Sequence, residues 1–475
     1  MRIFSGTIAG LTLCSLAITS PAVAQESGRI TIDPRVTLQY DMEDNTDLGT
    51  QNLETEHSLS EQFQLIVKGD IADDLVGFFY GRALNIDGDA GFSDEDNDAG
   101  DTAEDAFLEL RELFIEKQNL FGVVPLSVRV GRQRVREPRS IWWNSDNDLV
   151  RVNYNTTLLN AFIAAGENMT SYRTEDGDFT ESDEDRFRTL GEVSWQYLYG
   201  HFLEGRFLYE DDHSGLESVG STIDANDRDN EDFKGTWAGI RAAGEFHDAG
   251  PASVLKYRAD IIGLTGEQDN LTSVAGPGNN RTVTGSTNVD VMAWAFDGSL
   301  IADPMEKGGT VVYGGYAYGS GDDNPADGDD ESFRQTDIQG SSSRTGLERQ
   351  QQKNYGEVLK PELSNIHVFH AGAAYPVTGA TDISLTWFNY QLAEDATRLR
   401  SSGISAPLNG TDDHIGDAID FVLNIDLDDE FDFGLPYTKD IDFRFVAGSF
   451  FPGEAYSPND NDEAFRVFTE IKFRF

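Results

Sequence analysis

Hydrophobic and polar residues alternate with a period of two along much of this chain, most clearly at its end. From Phe465 to Phe475 one face reads Phe, Val, Thr, Ile, Phe, Phe, and the other reads Arg, Phe, Glu, Lys, Arg. A period of two puts successive side chains on opposite faces of a strand. This segment is therefore a strand with one apolar and one charged face, closing on an aromatic residue.

The pattern recurs in eighteen segments, at 29–42, 58–71, 75–86, 105–116, 126–135, 149–155, 157–166, 186–198, 201–210, 233–246, 253–265, 289–301, 310–319, 365–375, 382–392, 415–427, 441–451 and 464–475. Connections after even-numbered segments are mostly tight: Ala72-Asp73-Asp74, Thr156, Tyr199-Gly200, 247–252 and 302–309. Those after odd-numbered segments are long and polar: 43–57, 87–104, 136–148, 167–185, 211–232, 266–288, 320–364, 393–414 and 452–463. A soluble sandwich does not sort its loops by parity. The pattern predicts an all-β fold: a single transmembrane antiparallel up-and-down β-barrel of about 18 strands, with short periplasmic turns and long acidic extracellular loops, in the outer membrane of a Gram-negative bacterium.

Composition sharpens this picture. Beyond residue 25 no apolar run approaches the roughly 18 residues of a membrane-spanning helix. Lys and Arg total 36 against 84 Asp and Glu, a formal charge of -48, which argues against nucleic-acid binding. Thirty Phe, 16 Tyr and 6 Trp argue against disorder. The acids gather in the long loops, notably 87–104, 210–232 and 322–331. Asp87-Gly88-Asp89 lacks the ligand spacing and closing Glu of an EF-hand. A solvated acidic rim is one expectation for these loops; loop-bound divalent cations bridging to lipopolysaccharide are the other.

Residues 1–24 read as a signal peptide, with Arg2, an apolar stretch from Ile8 to Ile18 and a small-residue site at Ala22-Val23-Ala24. Residues 25–475 are then the barrel. Cys14, the single cysteine, falls in the leader, so the barrel has no thiolate metal site.

Assigning each apolar face to lipid turns Arg35, Arg129, Arg151, Arg188, Arg206, Arg241, Lys256, Arg258, Arg444 and Arg466 inward, with Lys68. Two readings of this wall stand side by side. Rings of Arg and Lys favour anions, and guanidinium matches carboxylate in bidentate geometry. Alternatively, inward Glu192, Glu204, Glu245, Asp260 and Glu470 pair with the arginines and stiffen the wall. Between Val128 and Arg139 five arginines crowd together, and strict alternation sends Arg132 and Arg134 outward. A bulge at Gly131 that resets the face is the favoured reading; the other places both residues above the membrane. Trp142 and Trp143 fit membrane-interface anchors better than sugar-stacking platforms.

No catalytic residue stands out. There is no G-x-S-x-G elbow, and His367 and His370, three apart in a strand, point to opposite faces and cannot share a metal. No enzyme, cofactor or metal centre is expected from these residues.

Four motifs carry a family resemblance. They are Val130-Gly131-Arg132-Gln133-Arg134 with the Trp pair, Phe333-Arg334-Gln335-Thr336-Asp337-Ile338-Gln339, Tyr355 through Asn365, and Phe451-Pro452-Gly453-Glu454-Ala455-Tyr456. In this order they resemble the alginate export porin family. The resemblance implies an 18-stranded monomeric barrel whose arginine-rich constriction lets an anionic polysaccharide diffuse to the cell surface. Outer-membrane lipid and lipopolysaccharide around the barrel, and periplasmic export partners, are further expectations. By motif match it singles out Arg132, Arg134 and Arg334 as pore residues; Arg129, Arg188, Arg206, Arg241 and Arg444 rest on alternation alone. The family's best-known member has a long gating turn between its sixteenth and seventeenth strands, where this chain has only Asp428 to Asp440. Uptake of small anions or acidic oligosaccharides is the competing reading.

Overall fold

A strand in hydrocarbon must find a partner for every backbone N–H and C=O, and only a sheet closed on itself leaves no open edge. The alternating segments meet that demand in a computed structural model. It describes residues 30–475 except 51–54, 89–105, 170–171, 175–184, 225–230, 250–251, 277–279, 305–308, 326, 341, 344–351, 432–437 and 457–461. The leader, Cys14 and most of the acidic loop 87–104 lie outside the described residues.

The barrel strands are β1 (Ile30–Asp44), β2 (Glu56–Ala72), β3 (Leu75–Gly88), β4 (Ala106–Lys117), β5 (Leu126–Arg136), β6 (Asn144–Asn155), β7 (Leu159–Gly166), β8 (Arg186–Leu198), β9 (His201–Asp212), β10 (Glu231–Ala249), β11 (Ala252–Ala275), β12 (Asn280–Asp303), β13 (Val311–Gly319), β14 (Ile366–Pro376), β15 (Thr381–Leu392), β16 (His414–Asp426), β17 (Asp440–Pro452) and β18 (Ala464–Arg474). Each pairs antiparallel with the next, and β1 closes on β18 from Arg35↔Arg474 to Asp44↔Phe465. The fold is thus a closed 18-strand antiparallel barrel. Its strands correspond one for one to the alternating segments, and both ends of the described chain lie on the short-turn rim.

The faces follow the alternation. Val36, Leu38 and Tyr40 of β1 point outward, while Thr37, Gln39 and Asp41 are buried inside. Inward polar groups satisfy one another across strands: Gln62 donates to Gln39 at 3.0 Å, and Gln39 to Glu470 at 2.9 Å. Two features of the strands differ most from expectation. The β11–β12 hairpin stays paired up to Ala275↔Arg281, through what the sequence reads as loop 266–288. Alternation of hydrophobicity marks only the part of a strand that faces lipid; above the membrane both faces meet water and the signal vanishes.

The second difference concerns Gly131. The β5–β6 register runs unbroken from Leu126↔Tyr154 to Arg136↔Asn144, so no bulge resets the face there. The irregularity sits instead in β4, where Tyr80↔Glu112 is followed by Gly81↔Leu110 and Arg111 is left over. β5 leaves β4 above the pair Leu113↔Arg132. Gly131, at φ +123°, marks the departure, because a Cβ there would collide with the Leu113 carbonyl. The vacated edge of β4 is taken by Tyr172–Thr174: Leu110 N–H donates to Tyr172 O, and Thr174 N–H to Leu108 O, both at 2.9 Å. Arg132 and Arg134 keep the face of Val128 and Val130, but that face is covered there: Arg132 stacks on Tyr172 at 3.3 Å, and Arg134 donates to Asn144 Oδ1 at 2.6 Å.

One prediction tests the facing. Ile240, in the middle of β10, is 61% exposed on the outer wall. Ile240→Arg should cost roughly 2–4 kcal/mol of folding free energy in a bilayer, the cost of a cation near the midplane. Urea titration of the refolded barrel in vesicles measures it, and an unchanged midpoint would place Ile240 away from lipid.

Candidate functional site

The segment after β5 folds into the lumen and packs against the inner wall. Pro138 has no N–H to continue a ladder, so the chain must turn. Glu137 organises that turn: its carboxylate accepts N–H groups from Arg139 at 2.8 Å, from Ile141, and from Trp142 at 3.4 Å. The result is a lobe, 137–143, aimed into the barrel. Trp142 and Trp143 are each 1% exposed within it, so neither anchors at the membrane interface. Trp142 rests on the inner wall at Gly239, where an added Cβ would come within 2.6 Å of its ring. Trp143 packs edge-on against Phe162.

Two stretches of the long connection between β13 and β14 dock on this lobe. In the first, Gln335 Nε2 donates to Ile141 O at 3.1 Å, Thr336 Oγ1 donates to Trp142 O, and Gly340 N–H donates to Ser140 O at 2.8 Å. The lobe returns one bond, from Asn144 N–H to Ile338 O at 2.6 Å. In the second, Asn354 Nδ2 donates to Arg139 O at 2.6 Å, and Tyr355 OH to Asp297 at 3.0 Å. Leu363 N–H closes the arrangement on Gln335 Oε1 at 2.9 Å. Three of the four family motifs therefore meet inside the lumen. The fourth braces the rim, where Asn409 N–H donates to Ala455 O at 2.7 Å.

Charges converge beneath the lobe. Arg241 Nη1 stands 3.2 Å from Glu137, and its Nε 3.5 Å from Asp260. Arg206 reaches Glu192 at 2.6 Å, Glu204 at 2.5 Å and Asp260 at 3.4 Å. Arg139 binds Asp297 at 2.7 Å, and Arg258 lies 4.0 Å from the same carboxylate. Burial alone would push the Glu137 carboxyl up, but Arg206, Arg241 and the backbone donors hold it below the usual carboxylate range. Burial likewise disfavours the Arg139 cation, but Asp297, Tyr355 and Glu137 together more than offset that.

The eight arginines proposed from sequence divide by position. Arg206 and Arg241 belong to this central cluster. Arg334 and Arg188 sit nearer the long-loop rim: Arg334 binds Glu231 at 2.5 Å and Gln268 at 2.7 Å, and Arg188 binds Glu210 at 2.5 Å. Arg129 and Arg444 pair along the wall, with Glu116 at 2.9 Å and Glu470 at 3.4 Å. Arg132 and Arg134 stand off the lumen at the top of β5, where Arg134 binds Asn144 Oδ1 at 2.6 Å. Sequence reading did not single out Glu137 or Asp297, and it took Arg139 only as one of five crowded arginines and Tyr355 only as the start of a motif. Asp297 carried a usable signal, an acid on the inward parity of β12. The lobe residues carried none, because loops have no period.

Comparison with known proteins agrees with the architecture. The family profile described as alginate export matches residues 29–470. The alginate production protein AlgE of Pseudomonas aeruginosa is 28% identical over 97% of this chain and 96% of its own length. Its namesake in Pseudomonas syringae pv. tomato is 25% identical, covering 78% of this chain and 76% of its own. Among solved structures, OccK5 (OpdH) of Pseudomonas aeruginosa superposes with a TM-score of 0.54 at 10% identity, over 94% of this chain and 98% of that one, a likeness of fold alone.

Gly239 offers a direct test of the lobe. Gly239→Val should push Trp142 off the wall, at an overpacking cost of about 1–3 kcal/mol. Single-channel conductance should rise and tryptophan emission shift to longer wavelength. Wild-type values for both would show that the lobe does not narrow the channel.

Proposed function

This chain belongs to the alginate export family, an outer-membrane channel family, and from that membership we propose that it lets an anionic polysaccharide, an alginate-like polyuronate, diffuse passively outward through its arginine-lined constriction. The observation that carries this reading is the cluster beneath the lobe, where Arg139, Arg206, Arg241 and Arg258 face Glu137, Glu192, Glu204, Asp260 and Asp297. Free guanidiniums would hold a polyanion too firmly for it to leave; a channel must bind weakly and at several sites. Paired guanidiniums behave differently. A uronate carboxylate that enters displaces a wall carboxylate, so one charge-assisted bond replaces another of similar strength. Each step then costs little, and the polymer can advance from one arginine to the next.

A barrel that closes within one chain supports a monomeric channel, and its short-turn rim is the face open to periplasmic export partners. Passive diffusion has no built-in direction, so polymer made inside the cell flows outward down its gradient.

Planar-bilayer recording tests the proposal. The refolded barrel should be anion-selective, and added polyuronate oligomers should reduce its open current. Arg206→Gln with Arg241→Gln should weaken that block by about tenfold or more, the loss of one or two charge-assisted bonds. The corresponding Lys variants, which keep charge but not the planar fork, should fall between. Cation selectivity, or block unchanged in the Gln variants, would defeat the arginine-lined path.

A further inference from the structure

Glu167, Asp185 and His213 come together at the long-loop rim, outside the charge network described above. One ligand atom from each lies within 4.8 Å of the others. Their origin in the fold is specific: Glu167 directly follows β7, Asp185 directly precedes β8 and His213 directly follows β9. Three adjacent strands therefore each end on one donor, and the sheet register, Gly166↔Arg188 and Arg186↔Asp212, holds those ends side by side.

Two further observations single this group out from the generally acidic rim. The imidazole is already oriented. His213 Nδ1 lies 3.2 Å from the Asp211 carbonyl oxygen, which can only accept, so Nδ1 carries a hydrogen and Nε2 is the nitrogen a metal would take. A backbone carbonyl outside the ligand set is a common outer partner of a metal-binding histidine. In addition, no lysine or arginine pairs with Glu167 or Asp185 among the described residues, whereas Asp212 next door is held by Arg186 at 2.8 Å. Two adjacent carboxylates without a cation and one oriented imidazole form a mixed nitrogen and oxygen donor set.

We propose that Glu167, Asp185 and His213 bind a divalent transition-metal ion of the zinc class. Imidazole suits zinc, copper and nickel, whereas magnesium and calcium take oxygen ligands. Three protein donors leave a fourth position for water, as in open zinc sites. The ion would join the two ends of the β7–β8 loop to the end of β9. That loop contributes Tyr172–Thr174, the piece that completes the wall where β5 has left β4. The metal would act as a clasp on the loop that seals the barrel, whatever the cargo.

The test uses the refolded full-length barrel in detergent with zinc chloride as probe. Competition with a chromophoric chelator should show one zinc bound per barrel, retained against a hundredfold excess of magnesium. Glu167→Gln and His213→Asn should each raise the zinc dissociation constant at least about tenfold. Zinc should also slow tryptic cleavage after Arg173 in the wild type and not in His213→Asn. Displacement by magnesium at comparable concentration, or equal zinc affinity in both variants, would overturn the proposal and assign the ion to the acidic rim at large.

Discussion

The need to pair every backbone polar group without water underlies the whole molecule. In hydrocarbon an open strand edge would leave several kcal/mol per group unsatisfied. The pairing of β1 with β18 is therefore the condition for the other strands to exist in the membrane at all. It also explains the seam between β4 and β5. Where β5 leaves β4, the exposed edge is not left bare; Tyr172 and Thr174 supply the missing hydrogen bonds. Local departure from the barrel is tolerated only because another segment takes over the backbone pairing.

That departure is also what shapes the channel. A hairpin that stayed in the wall would leave the lumen as wide as an 18-strand barrel permits, enough for an open aqueous channel. By leaving it, β5 delivers Glu137, Arg139 and the Trp pair to the centre, where the β13–β14 connection locks them in place. The filling of the lumen and the closure of the wall are thus coupled through one hairpin. The clasp proposed at Glu167, Asp185 and His213 would act on the same coupling from outside, since it holds the loop that covers the seam.

The net charge of -48 does not describe the path a solute would follow. Inside, guanidiniums lie at hydrogen-bonding distance from carboxylates, as at Arg206 with Glu192 and Glu204. Removing one member of such a pair strands the other, at a cost of about 3–5 kcal/mol. Both interpretations of the inward arginines then describe one structure: the ion pairs stiffen the wall, and the same guanidiniums are the groups a polyanion would engage.

Sequence by itself determined the barrel, its strand count, its orientation and the inward facing of Arg129, Arg188, Arg206, Arg241 and Arg444. Each follows from a period of two set against lipid on one side, a local rule that every strand states for itself. What covers Arg132 did not follow, because the ring it stacks on, Tyr172, belongs to a loop some forty residues away. Nor did the lobe, the docking of Gln335 and Thr336 on it, or the burial of Trp142 against Gly239. Those contacts join residues far apart in the chain and lie in segments without periodicity. Only the tertiary structure decided them, because a loop's position is set by the partner it meets and not by its own pattern.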